Sequence, residues 1–63
     1  MLKYVEELIE KTEERLVELR EEADREDNNP HKYYFITTQI DIHVGNLSAY
    51  KTMRNILTVK EEK

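Results

Sequence analysis

Apolar residues recur along the first part of the chain with a helical period. Leu2, Val5, Ile9, Thr12, Leu16, Leu19 and Ala23 are spaced alternately three and four apart, the a/d stripe of a heptad pattern. Leu8 widens that stripe on one side, and the other positions are mostly Glu, Lys and Arg, all good helix formers. Glu7 with Lys11 and Glu21 with Arg25 stand in the favourable i,i+4 order. The pattern predicts a first helix over about residues 2–27, with one narrow apolar seam and a charged back.

The periodicity is interrupted once. Asp27-Asn28-Asn29-Pro30 holds the only proline, with Asn29 suited to an N-cap and Pro30 to the first helical position, where its missing N–H is not needed. A turn over 27–30 is therefore expected, with a second element starting at Pro30.

That second element carries two competing patterns. Tyr33, Ile36, Ile40, His43, Leu47, Tyr50, Arg54 and Leu57 again follow three-four spacing, which predicts a helix to about residue 60. Ile36, Thr38, Ile40, Ile42 and Val44 also alternate with Thr37, Gln39, Asp41 and His43, which reads as a strand within 33–44 and an α+β fold. The heptad phase continues through Gly45 to Leu57, whereas the alternation stops after nine residues. An isolated strand would also lack a pairing partner. The favoured architecture is all-α: residues 1–63 as a single domain, an antiparallel helical hairpin with a coiled-coil-like seam. Leu2, Val5, Ile9, Leu16 and Leu19 would meet Ile36, Ile40, His43, Leu47, Tyr50 and Leu57 there.

A continuous second helix has a further apolar stripe. Phe35, Ile42, Ala49, Met53 and Ile56 lie roughly 100° from the middle of the seam, and Asp41 is the only formal charge between Tyr33 and Tyr50. A helix that is apolar on two sides has more to bury than one neighbour covers. The expectation is a homodimer of hairpins, a four-helix bundle with the second helix inside; the stripe by itself leaves the pairing topology open.

Size and composition press the same way. Sixty-three residues with 38% hydrophobic content make a small core, and the absence of cysteine removes disulfides and thiolate metal sites, so a partner chain is the remaining staple. Residues 1–27 carry eleven acids against five bases, a charge of −6; residues 28–63 carry three against five, +2, which together make the net −4. The acidic half argues against binding phosphate backbones. Acids at Glu6, Glu7 and Glu10 interrupt any leader-like run, and no stretch approaches a membrane span, so a cytoplasmic chain without a membrane partner is expected.

Few residues suggest chemistry. His43 and Arg54 are the polar members of the second seam, and antiparallel pairing brings Glu13 and Glu6 within their reach; polar seam residues of this kind set register. Tyr33, Tyr34, Tyr50 and Phe35 are of the types that stack on nucleobases, but Lys32 and Lys51 alone accompany them, so packing is the better reading. Neither a phosphate loop nor a metal spacing is present, and no catalytic, cofactor-binding or metal residue is assigned.

Two resemblances accompany this reading. The length and hairpin outline resemble those of the Rop-type plasmid RNA-binding regulators, without a shared run of residues or a basic face. Thr37-Thr38-Gln39-Ile40-Asp41 resembles the Ser-Gln-Glu-Leu-Asp core of the sporulation aspartyl-phosphate phosphatases, with Thr for Ser, Thr for Gln, Gln for Glu and Ile for Leu. The hydrophobic pair and tyrosine that follow in that family fall here on His43-Val44 and Leu47. That resemblance implies phosphatase action on a response regulator and carries only Asp41 across. The residues themselves point instead to a non-enzymatic protein–protein interaction module, a regulator or inhibitor of another protein.

Overall fold

The computed structural model describes residues 1–61 and contains two helices, α1 (Leu2–Arg25) and α2 (Pro30–Glu61), packed side by side as a hairpin. The chain forms a rod with Cα extents of 52 × 14 × 12 Å. No strand occurs among the described residues, so the alternation over 33–44 does not become one. Without a second strand to complete a ladder, the backbone groups are satisfied only by the helical pattern.

The threonines show how β-favouring residues are accommodated. Thr12 Oγ1 donates to the Leu8 carbonyl at 2.7 Å, and Thr37 and Thr38 both donate to Tyr34 at 3.0 and 2.9 Å. Thr52 donates to Ser48 at 3.1 Å and Thr58 to Arg54 at 2.8 Å. Each hydroxyl is thus satisfied by a carbonyl one turn back, the usual arrangement for threonine inside a helix.

The reversal is built from backbone and one side chain. At the end of α1 the Glu26 N–H donates to the carbonyls of Glu22 (3.0 Å) and Ala23 (3.2 Å), and the Asn29 N–H donates to Glu26 at 3.0 Å. Asn29 then caps α2: its Oδ1 accepts from the Lys32 N–H at 3.3 Å, while its carbonyl accepts from Tyr33 at 2.9 Å. α1 ends two residues before the expected boundary at 27, because Glu26 leaves helical geometry (φ −107°, ψ 18°) to begin the turn. Arg25 in the last turn of α1 and Lys60 in that of α2 oppose the negative ends of their helices.

The core is a single seam. Val5, Ile9, Leu16, Leu19 and Ala23 of α1 are buried, and among the described residues of α2 only Ile36 is buried. Leu19, Ala23 and Ile36 form a cluster against which Ile40 packs, the antiparallel register expected around a turn at residues 26–29. Leu2, Thr12, Ile40, His43, Leu47, Tyr50, Arg54 and Leu57 are half-buried along the same line. The two sides are unequal: α1 hides its apolar stripe under α2, but α2 is only partly covered by α1.

Tyr33, placed on the seam by its spacing, is exposed instead. Extending the Ala23–Ile36 register by one turn sets it opposite Glu26, which belongs to the turn and offers no helical face to pack on.

Candidate protein interface

The outward side of α2 is apolar and has no neighbour in the hairpin. Phe35 is 65% exposed, Ile42 51%, Met53 46% and Ile56 53%, and Ala49 is exposed between them. These five residues sit at one face because successive positions advance by about 100° around the helix, so steps of seven, seven, four and three return nearly to the same direction. Their flanks are uncharged: Thr38, Gly45, Asn46 and Thr52 are exposed beside them. Together they form a line of exposed apolar side chains along α2 that the hairpin itself leaves uncovered.

The rest of the surface differs. The back of α1 exposes Glu6, Glu7, Glu10, Glu13, Glu14, Glu18 and Glu21, and its ion pair, Arg15 Nη1 with Glu18 Oε2 at 2.9 Å, lies in solvent. An exposed pair of this type contributes little to stability. It is the one ion pair among the described residues, so the cross-seam contacts anticipated for His43 with Glu13 and for Arg54 with Glu6 do not form. Glu7–Lys11 and Glu21–Arg25 do not close either. Long exposed side chains lose rotamer freedom when paired and gain little Coulomb energy in water, which leaves them extended into solvent.

His43 bonds within its own helix. Its Nδ1 lies 2.8 Å from the Gln39 carbonyl oxygen. A carbonyl only accepts, so Nδ1 carries the proton and the ring is held against the helix backbone. Asp41, the residue carried by the phosphatase resemblance, is exposed on α2. No group of three or more His, Asp or Glu side chains among the described residues is arranged to hold a metal ion. No helix there is long and apolar enough to cross a membrane.

One groove, of about 750 Å³, opens beside the turn. Arg25, His31 and Lys32 line it together with Glu22 and Glu26, and Phe35 forms part of its wall. Its charges are mixed and it is open to solvent, so it selects neither an anion nor a cation. Compared with known proteins, the chain matches no protein-family model, no curated protein and no solved structure.

Proposed function

We propose that this protein is a non-enzymatic helical interaction module, a homodimer with α2 inside and α1 outside, that binds another protein and regulates or inhibits it. The observation that carries this reading is the uncharged apolar face of α2, with Phe35, Ile42, Met53 and Ile56 about half exposed or more. Burying such surface is favourable by roughly 25 cal/mol per Å², and the hairpin supplies nothing of its own to cover it. Once α2 is covered, the outer surface on both sides is the acidic back of α1. That surface suits a partner protein with a basic face and disfavours a nucleic-acid backbone.

Affinity capture at physiological salt tests the partner half of this reading. The full chain is compared with a Glu10→Gln, Glu14→Gln, Glu21→Gln variant, all three positions being exposed. A protein held by the original chain and lost by the variant supports recognition through α1; equal retention by both removes it.

A further inference from the structure

Gly45 is the only glycine of the chain and lies in the middle of the 32-residue α2. It does not take a positive φ, and a Cβ built on it meets nothing within 4 Å. The hairpin therefore gives no reason for a glycine here, although glycine inside a helix is destabilising relative to alanine. A glycine with no internal role, exposed on a helix beside an apolar stripe, permits another backbone to come close.

The stripe is arranged symmetrically about this point. Phe35 lies ten residues before Gly45 and Ile56 ten after Asn46; Ile42 lies three before and Ala49 three after; Thr38 and Met53 lie seven before and seven after. From this arrangement we infer that the outer face of α2 docks onto the same face of a second copy, antiparallel, with the two-fold axis passing at Gly45–Asn46. This rests on the self-association proposed above and adds its topology.

Antiparallel pairing sets Phe35 against the other copy's Ile56 at both ends, and Ile42 against its Ala49 on both sides of the centre. Large residues then meet smaller ones through the middle, and the thin layer at Gly45–Asn46 lies at the axis. A parallel pair would stack Phe35 on Phe35 and leave Ala49 facing Ala49, alternating crowding with a void. Even filling of successive layers is what close packing requires.

Area and charge single out a second copy as the occupant. The chain exposes 5066 Å², roughly 800 Å² more than the ~4,300 Å² expected of a folded monomer of 7.6 kDa. That surplus is spread over a rod of 52 × 14 × 12 Å and is of the order of the ~800 Å² that one partner contributes to a standard stable interface. The stripe carries no formal charge, so two copies meet there without repulsion, whereas the α1 backs, rich in glutamate, would repel.

The test places a spin label on His31→Cys in the full chain, an exposed position in a protein that has no native cysteine, and reads label–label distance on samples sized by sedimentation equilibrium. In the antiparallel pair, position 31 lies about fourteen residues from the axis on each copy, so the labels stand roughly 45 Å apart at 1.5 Å per residue. In a parallel pair they stand within roughly 20 Å, given helix separations of 8–10 Å. A dimer with the long distance is the expected result. A dimer with the short distance overturns the antiparallel topology and leaves self-association standing. A monomer at every attainable concentration overturns both and assigns the face to a different protein.

Discussion

The Lys32 backbone N–H donates to Oδ1 of Asn29 at 3.3 Å, across the start of α2. Pro30, between them, has no N–H to satisfy, so the one side chain able to close this helix end stands where the chain most needs it. Asn29→Ala removes that acceptor and is expected to lower stability by about 0.5–1 kcal/mol, the lower part of the range for a lost N-cap. Thermal unfolding followed by circular dichroism at one fixed concentration should show a midpoint lower by a few degrees, while Asn29→Asp or Asn29→Ser should keep most of it.

Leu19 is almost completely buried and shares its cluster with Ala23 and Ile36. Leu19→Ala leaves a cavity in a seam with no second layer to collapse into it, at a cost of about 2–4 kcal/mol. For a chain of this length that is a large part of the total stability. Most of the helical signal should be lost in dilute solution at room temperature, and an unchanged spectrum would contradict the seam as described.

Ile42 is half exposed in the hairpin, so Ile42→Glu should leave the helical content of dilute protein unchanged. In a bundle closed through the outer face of α2, the same substitution buries two like charges near the axis. The dimer dissociation constant should rise by at least about tenfold, equivalent to about 1.4 kcal/mol. Sedimentation at matched concentrations compares the two proteins directly; equal dissociation constants would mean that this face is not the contact.

Gly45→Ala separates the two levels of structure. The added methyl meets no atom of the hairpin, so helix stability should increase by roughly 0.5–1 kcal/mol in monomeric protein. At the proposed two-fold axis the methyl comes between closely approaching backbones, and self-association should weaken. Opposite signs for the two quantities, measured by denaturant titration at low and high concentration, are the expected outcome.

The Nδ1 of His43 lies 2.8 Å from the Gln39 carbonyl, which requires the proton on Nδ1 in the neutral ring. Long-range ¹H–¹⁵N spectra at a pH where the ring is neutral should show the Nδ1–H tautomer. The opposite tautomer would mean that the ring has left the helix backbone and is available for another partner.

The secondary structure was readable from residue spacing because a narrow seam admits only one phase. The three-four repeat of α1 and its continuation from Ile36 to Leu57 name the positions that turn inward, and Asn29-Pro30 marks the start of α2 by stereochemistry alone. The ambiguous stretch 33–44 resolves as helix for a non-local reason. Its isoleucines suit a strand in isolation, but the threonine hydroxyls find carbonyls one turn back and Ile36 and Ile40 find the Leu19–Ala23 face of α1.

What the sequence by itself determined is therefore the two helices, the break between them and the residues of each stripe, all consequences of local stereochemistry and a 3.6-residue period. The tertiary structure decided how deeply each position is covered. Tyr33 turns out to solvent because α1 has already ended opposite it, and Leu47, Tyr50 and Leu57 stay half-buried because one narrow helix cannot cover a broad apolar one. It also decided the polar partners, choosing Arg15–Glu18 over every cross-seam pair, since exposed charges on long side chains differ too little in energy for spacing to rank them.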